Sequence, residues 1–119
     1  MDKFQIVDFQ TTNSMLRHVL IVHVHCRKIQ MTLLNTHLDS MKECDEERKK
    51  QLSLCFGLVL SSPPGSTVIF GGDLNTRDSD LASTEGIQDM WMQLGSRKEV
   101  EFTWDKFKTL FLIALLRVK

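Results

Sequence analysis

The sequence has few cysteines and no pattern that would join them. The chain has three cysteines, an odd number, and they show no C-x-x-C spacing: Cys26, Cys44 and Cys55. Neither a disulfide framework nor a zinc ribbon is therefore expected, and a reducing compartment is the simpler interpretation.

The chain also lacks net charge, because Lys+Arg and Asp+Glu are both 15. A general nucleic-acid coat protein would usually be basic, so local residues must hold any phosphate-bearing ligand.

Targeting and membrane-spanning patterns are also absent from the sequence. The first ten residues, MDKFQIVDFQ, have no basic start followed by an apolar core, so no signal peptide is expected. The apolar run LFLIALL, residues 110–116, is far shorter than the roughly 20 residues of a membrane span. With 119 residues, of which 42% are apolar, the chain is at most one domain, or part of one, and has enough apolar residues for a core. Wholesale disorder is not expected.

The first third of the chain predicts β-strands. Phe4, Ile6 and Phe9 indicate a short strand or edge segment. Residues 17–26, RHVLIVHVHC, are rich in Val and Ile and predict a mostly buried strand. Residues 29–38 predict the next strand, and the short connection between the two favours an antiparallel hairpin.

The remaining elements give an α/β order. A helix is expected to begin at Ser40, because Ser40 and Glu43 form an S-x-x-E capping box. Its apolar face continues to residue 60, and the Pro- and Gly-containing string SSPPGS ends it. The pattern then predicts a buried strand at 67–70, a loop at 71–86, a short helix at 87–94 stopped by Gly95, and a strand at 101–105.

The string IFGGDLNTRD, residues 69–78, places charged and amide side chains directly after a buried strand. If strand geometry persists, Asp73 and Asn75 point to the same side, where a carboxylate and an amide suit the activation of water. Arg77 would continue this face and could bind a phosphate through its forked donors. The alternative is a solvated turn with local Asp and Asn hydrogen bonds.

A second string, NTHLDS at residues 35–40, also follows an apolar strand. His37 can donate to a phosphate oxygen, and the free N–H groups of a helix start at Ser40 attract anions. Lys42 would add positive charge in the first turn. The alternative is that Ser40 is only a helix cap and His37 a core histidine.

The other candidate residues give weaker signals. His23 and His25 share a strand face and could in principle bind zinc, but no third ligand is evident, which favours a structural or exposed pair. Trp104 precedes Asp105 in a loop-like setting. An exposed tryptophan could stack on a base or sugar, although most tryptophans are core residues.

Together the strings resemble a known family. A strand ending in T-H-L-x-S, a helix, and a buried strand ending in G-D-x-N are similar to the endonuclease/exonuclease/phosphatase superfamily. More narrowly, THLDS, an E-R-x-x-Q-L helix, VIFGGDLNTRD and FTWD, in this order, resemble the branch that hydrolyses 5′-phosphotyrosyl–DNA bonds. The resemblance covers roughly residues 14–105.

The resemblance implies a fold, a reaction and partners. Residues 1–105 would form part of a four-layer α/β sandwich, which would be incomplete, and residues 106–119 would be a divergent apolar tail. The implied activity is Mg²⁺-dependent (or Mn²⁺-dependent) phosphodiester hydrolysis in the repair of topoisomerase-induced DNA damage. The implied partners are a DNA 5′ end with a tyrosyl adduct and a topoisomerase-derived peptide, with no membrane. The implied location is the nucleus, with the cytoplasm as an additional location that stays open.

The resemblance also implies roles for residues of this chain. Asp73 would activate or position the attacking water, Asn75 would orient it, and His37 would help to stabilise the charge that develops on the phosphate. Asp73 could contact the metal ion through water. The residues implied to line the DNA 5′ end are Ser40, Lys42, Asn75, Thr76, Arg77 and Trp104.

The sequence also departs from the family pattern. The family places a catalytic Asn and a metal-binding Glu upstream of the matched strings, and a catalytic His in a later S-D-H string, and this chain has none of the three. The isolated chain is therefore expected to be nearly inactive. Two alternatives stay open: another superfamily nuclease or phosphatase, such as an abasic-site endonuclease, or a non-catalytic DNA-binding or regulatory fragment.

Overall fold

The computed structural model describes residues 3–9, 15–77, 81, 83–101 and 114–117. Short 3₁₀ turns occupy Lys42–Cys44 and Lys98–Val100. In chain order, the strands and α-helices of the described residues are β1 (Lys3–Asp8), β2 (His18–Cys26), β3 (Ile29–His37), α1 (Asp45–Leu60), β4 (Thr67–Asp73), β5 (Gln88–Asp89), α2 (Met90–Gln93) and β6 (Ala114–Arg117).

The strands form one mixed sheet in the order β1-β2-β3-β4-β6-β5. The predicted hairpin is confirmed, since β2 and β3 pair antiparallel around Arg27, which adopts a φ of 57°. Strand β4 then pairs parallel to β3 and antiparallel to β6. It also continues through the two glycines to Asp73, beyond its predicted end at Phe70. This extension brings the ends of β3 and β4 level with each other.

One face of the sheet packs against α1 and forms the core. Leu52, Cys55 and Val59 of the helix are buried, as the predicted apolar face requires. The Phe56 ring meets the Phe70 ring edge-to-face with centroids 6.1 Å apart. The sheet contributes buried residues to the same cluster: Val19, Ile21, Leu34, Val68 and Phe70.

We call the opposite face of the sheet the open face, because Phe4 and Ile6 are exposed on it. Because side chains alternate along a strand, β2 is not mostly buried as predicted. Val19 and Ile21 point into the core, whereas Leu20 between them is 36% exposed. On β1 to β4, the apolar residues of the open face are Phe4, Ile6, Leu20, Val22, Val24, Met31, Leu33 and Ile69.

The prediction that a capping box at Ser40 starts the helix is wrong. α1 begins at Asp45, its N-cap residue Cys44 makes no side-chain cap, and the Ser40 hydroxyl donates to Met15 Sδ at 3.4 Å. The segment between β3 and α1 is not α-helical, because Met41 has a φ of 76° and a 3₁₀ turn at Lys42–Cys44 follows it. It is held there because the buried side chain of Arg48 donates to the carbonyls of Asp39 and Met41.

Helix α2 is shorter than the predicted 87–94. Residues Gln88–Asp89 form a two-residue strand instead, and the Asp89 carboxylate caps the helix by accepting from the Met92 N–H at 3.1 Å. Gly95 stops it as predicted, with a φ of 88°. Most of the predicted strand at 101–105 lies outside the described residues.

The predicted boundary between residues 105 and 106 stays a prediction. Of the stretch 106–119, the structure describes Ala114–Arg117, which form β6 between β4 and β5. Among the described residues, no helix has the length and apolar character that crossing a membrane requires.

The open face gives a first testable prediction. Phe4 and Ile6 are 59% and 55% exposed on neighbouring positions of this face, and a contiguous exposed apolar patch favours association. We expect the apparent mass of the 119-residue chain, measured by sedimentation, to rise with concentration. The double variant Phe4→Lys/Ile6→Lys should lower that rise.

The control is Leu54→Lys, which makes the same chemical change at a residue of α1 that is 38% exposed. It should leave the association unchanged. A chain that stays monomeric at all concentrations would contradict the prediction. So would a Leu54→Lys variant that lowers the association as much as the double variant does.

Cys55 gives a prediction about pH. Its thiol is fully buried, and this burial raises its pKa from 9.0 to about 12. The unfolded chain therefore loses this proton at a lower pH than the folded chain does. The contribution of Cys55 to stability is fully present below pH 9 and is lost as pH rises toward 12, at up to about 1.4 kcal/mol per pH unit.

Denaturant titrations at several pH values would measure this loss. The free energy of unfolding should fall less steeply between pH 9 and 12 in Cys55→Ala than in the unchanged chain. Cys26→Ala is the matched control, because the Cys26 side chain is exposed. Parallel curves for Cys55→Ala and the unchanged chain would refute the assignment.

Candidate active site at the ends of β3 and β4

The two polar strings meet because β3 and β4 are parallel neighbours. His37, the last residue of β3, pairs in register with Asp73, the last residue of β4. One residue further along, the Leu38 N–H donates to the Asp73 carbonyl at 2.9 Å. The carboxyl ends of parallel strands lie at the same edge of a sheet, so residues far apart in sequence become adjacent there.

His37 and Asp73 face each other across this edge. The distance from His37 Nε2 to Asp73 Oδ2 is 3.7 Å, and the two side chains are 49% and 63% exposed. Both groups are therefore open to solvent and to a ligand. The distance leaves the His37 N–H able to donate to a group that enters between them.

Asn75 joins the pair through a left-handed turn. The prediction that strand geometry would place Asp73 and Asn75 on one face is wrong, because β4 ends at Asp73 and Asn75 has a φ of 48°. This conformation is one that asparagine tolerates. The turn lets the Asn75 N–H donate to Asp73 Oδ1 at 3.0 Å, while its amide Nδ2 donates to the Leu38 carbonyl at 3.0 Å.

These bonds fix the orientation of two functional groups. The Asp73 carboxylate is anchored through Oδ1, so Oδ2 remains for a proton or a hydrated ion. The Asn75 amide is anchored through Nδ2, so its Oδ1 remains as an acceptor that can orient water. With the imidazole of His37, the edge presents an acid, an acceptor and a donor to one small volume, an arrangement suited to phosphate chemistry.

The pairing of β3 and β4 requires a glycine directly before Asp73. In the structure Gly72 has a φ of +136°, and a Cβ there would lie 1.8 Å from the carbonyl oxygen of Thr36. Its missing side chain therefore lets β3 and β4 stay paired up to the site.

A buried polar brace supports the loop after β3. Asp39 and Gln51 are 0% and 1% exposed, and the Asp39 N–H donates to Gln51 Oε1 at 3.0 Å. Arg48 adds its bonds to the loop carbonyls and is itself only 9% exposed. The brace fixes the loop that contains Leu38, whose carbonyl holds Asn75.

Sequence reasoning missed two residues at this edge. Arg17 Nη1 lies 3.1 Å from His37 Nδ1, and the Asn35 amide donates to the Gly71 carbonyl at 3.4 Å. Both become visible only from the registers of β2–β3 and β3–β4. They border an open depression of about 230 Å³ lined by Leu16, Arg17, His18, Leu20, Asn35, Thr36 and His37.

Apart from Asn75, the described residues among those predicted to line DNA either make local contacts or are exposed. Ser40 is half-buried, and its hydroxyl is occupied with Met15. The Thr76 hydroxyl donates to the Leu74 carbonyl at 2.7 Å. Lys42 and Arg77 are exposed, and Trp104 lies outside the described residues. Their roles toward DNA stay predictions.

The described residues do not by themselves form a metal site. They contain no cluster of three or more His, Cys, Asp or Glu side chains that could hold an ion. His23 uses its Nδ1 for a 3.2 Å contact with Thr32 Oγ1, in line with the structural alternative for that histidine. Asp73 is the single carboxylate among the site groups described above, so these groups would offer a metal ion one acidic ligand.

Comparison with known proteins shows what this chain is similar to. No family model matches the chain. The chain is 39% identical over 107 residues to tyrosyl-DNA phosphodiesterase 2 of Gallus gallus, a match that covers 87% of the chain and 29% of the relative. It is 36% identical over 111 residues to the 5′-tyrosyl-DNA phosphodiesterase of Caenorhabditis elegans, covering 90% of the chain and 30% of the relative. The chain thus spans about three tenths of the length of these relatives.

Solved structures agree with the sequence comparison. A humanized D. rerio TDP2 with 14 mutations superimposes with a TM-score of 0.85 at 32% identity, covering 97% of this chain and 50% of that one. D. rerio TDP2 complexed with a single-strand DNA product gives a TM-score of 0.83 at 32% identity, with coverages of 97% and 52%. The predicted resemblance is confirmed over part of the relatives' length, and so is the fold class, an incomplete α/β fold of the endonuclease/exonuclease/phosphatase type.

Proposed function

Because this chain is similar in sequence and in fold to part of tyrosyl-DNA phosphodiesterase 2, we propose that it contributes half of a phosphodiesterase active site. The proposed substrate is the 5′-phosphotyrosyl–DNA bond, and the proposed reaction is its hydrolysis during repair of topoisomerase-induced damage. The DNA 5′ end and the topoisomerase-derived peptide are the proposed partners.

One observation supports this proposal most strongly. His37, Asp73 and Asn75 come from two strings that are 36 residues apart, counted from His37 to Asp73, yet they share one strand edge with a separation of 3.7 Å between imidazole and carboxylate. Neither a solvated turn nor a core histidine requires this convergence. A reaction at a phosphorus atom does, because it needs a water-activating group and a charge-stabilising donor on the same centre.

The geometry suggests a role for each group. Asp73, fixed through Oδ1 by the Asn75 N–H, would position or deprotonate the attacking water with Oδ2. The Asn75 amide, fixed by the Leu38 carbonyl, would orient the same water with its oxygen. His37 would donate to a phosphate oxygen as negative charge develops there.

We also propose that the reaction requires Mg²⁺, or Mn²⁺ in its place, and that the protein acts in the nucleus. The described residues supply one carboxylate at the edge and no three-ligand cluster, so the further ligands would have to come from other parts of a complete domain. In that domain the ion would neutralise charge on the phosphate oxygens.

A chimera would test the proposed function. Residues 14–105 of this chain would replace the matching segment of the Gallus gallus relative, and cleavage of an oligonucleotide with a 5′-phosphotyrosyl end would be measured. We expect Mg²⁺-dependent cleavage that is lost on chelation. Faster cleavage of an abasic-site duplex or a free phosphomonoester would instead favour another superfamily nuclease or phosphatase.

A second candidate function is DNA binding without hydrolysis. The lack of a three-ligand cluster among the described residues favours it for the chain by itself. Fluorescence anisotropy with the 119-residue chain and 5′-phosphorylated or 5′-hydroxyl oligonucleotides would test it. Tighter binding of the phosphorylated end without turnover supports this function, whereas measurable turnover by the chain alone would rule it out.

A further inference from the structure

Arg17 holds one nitrogen of the His37 ring. Its Nη1 lies 3.1 Å from His37 Nδ1, a hydrogen-bond distance. Its Nη2 contacts Met15 Sδ at 3.8 Å, the same sulfur that accepts from the Ser40 hydroxyl. The arginine is half-buried at the start of β2. Its guanidinium is therefore fixed by several contacts and bonds the ring nitrogen that does not face Asp73.

The chemistry of the two groups decides where the ring proton lies. Arginine has five N–H donors and no acceptor, and it stays protonated in proteins. In its hydrogen bond with Arg17, His37 Nδ1 must therefore be the acceptor and have no proton. A neutral imidazole has one ring proton, which must then be on Nε2, the nitrogen that lies 3.7 Å from Asp73 Oδ2.

We propose that Arg17 is a positioning residue that selects the Nε2–H tautomer of His37. The selected tautomer presents an N–H donor to the open space beside Asp73, and the opposite tautomer would present a lone pair there. A lone pair would repel a phosphate oxygen, whereas the N–H attracts it. The tautomer itself follows from the geometry, and only its use toward a phosphate rests on the proposed function.

Arg17 also restrains the rotation of the ring. A flip of the imidazole about its Cβ–Cγ bond would turn Nδ1 away from the guanidinium and lose the 3.1 Å bond. The register of β2 and β3 sets this distance. Val19 pairs with Thr36, so the next positions along the two strands are His18 and His37, and Arg17 is the neighbour of His18. Arg17 thus acts on the site through its bond to His37.

Nitrogen-15 NMR of the histidines would test the tautomer without DNA. The chain contains four histidines, which can be labelled selectively, and the variant His37→Gln identifies the His37 signals by their loss. At a pH where the ring is neutral, we expect Nε2 protonated and Nδ1 unprotonated as a single form. Protonation of His37 Nδ1 in the unchanged chain would overturn the proposal, whatever any variant does.

Two variants of Arg17 distinguish the effect of its hydrogen-bond donor from the effect of its side-chain packing. Arg17→Met retains much of the side-chain length but has no donor, so the two nitrogen shifts of His37 should move toward the averaged values of a tautomer mixture. Arg17→Lys retains a donor and should preserve the single form. Arg97→Met makes the same change at an exposed arginine that pairs with Glu99 and should have no effect.

The signals of His23 report whether the strands remain paired, because its Nδ1 contacts Thr32 across β2 and β3. Unchanged His37 shifts in Arg17→Met, with His23 also unchanged, would refute the assignment. In the chimera, Arg17→Met should lower kcat about tenfold with KM retained, and Arg17→Lys should recover most of it. An inactive chimera would count against the proposed function alone, since the tautomer is measured without substrate.

Discussion

Replacing Gly72 with alanine is expected to cost more than about 4 kcal/mol of folding free energy. The residue has a φ of +136°, which L side chains rarely adopt, and the added Cβ would lie 1.8 Å from the Thr36 carbonyl oxygen. That atom belongs to the backbone of β3 and cannot rotate away. The variant should therefore separate the ends of β3 and β4.

Chemical denaturation would measure this loss, and two other glycines serve as controls. Gly65 has a φ of +80° and nothing within 4 Å of an added Cβ, so Gly65→Ala should cost only the conformational strain, about 1–2 kcal/mol. Gly57 lies inside α1 with open space around it, so Gly57→Ala should stabilise the chain by about 0.5–1 kcal/mol. Equal losses for Gly72→Ala and Gly65→Ala would show that the close approach of the strands is not the cause.

Asp73→Asn is expected to lower the rate of 5′-phosphotyrosyl cleavage by about 10²–10³ in the chimera. An asparagine side chain retains an oxygen that can accept from the Asn75 N–H, the bond that the carboxylate makes at 3.0 Å. The turn should therefore persist. What is lost is the negative charge that draws a proton from water, so the loss should appear in kcat more than in KM.

The control for this charge is Asp45→Asn. Asp45 lies on the exposed start of α1, where its hydrogen bond to Lys49 lowers its pKa. Removal of this charge should leave cleavage unchanged, and it should remove a small stabilising contribution that is present above the usual pKa of the carboxyl and lost as pH falls through the lowered value. If the Asp73→Asn chimera cleaves the 5′-phosphotyrosyl bond as fast as the Asp45→Asn chimera, the role proposed for Asp73 is contradicted.

Much of the fold could be predicted because its signals are local. Apolar periodicity and the short turn at Arg27 predicted the β2–β3 hairpin, which pairs as expected. Pro and Gly predicted the end of α1, which stops at Leu60. The start of α1 could not be predicted this way, since the buried contacts of Arg48 with the loop override the local capping signal at Ser40.

The candidate site was only partly readable from sequence. Family resemblance indicated His37, Asp73 and Asn75, but alternation gave the wrong reason for the nearness of Asp73 and Asn75, because the turn depends on a left-handed φ at Asn75. Arg17 could not be predicted at all. Its 3.1 Å contact with His37 requires the register of two strands, which no local pattern determines.

The position of a bound phosphorus atom would decide most directly whether these two strand ends serve one reaction centre. The measurement is a crystal structure of the chimera with a 5′-phosphorylated oligonucleotide. We predict a phosphate oxygen about 2.7–3.2 Å from His37 Nε2, on the side of the ring that faces Asp73. A 5′-phosphate bound elsewhere, with the space between His37 and Asp73 filled only by solvent, would contradict the account.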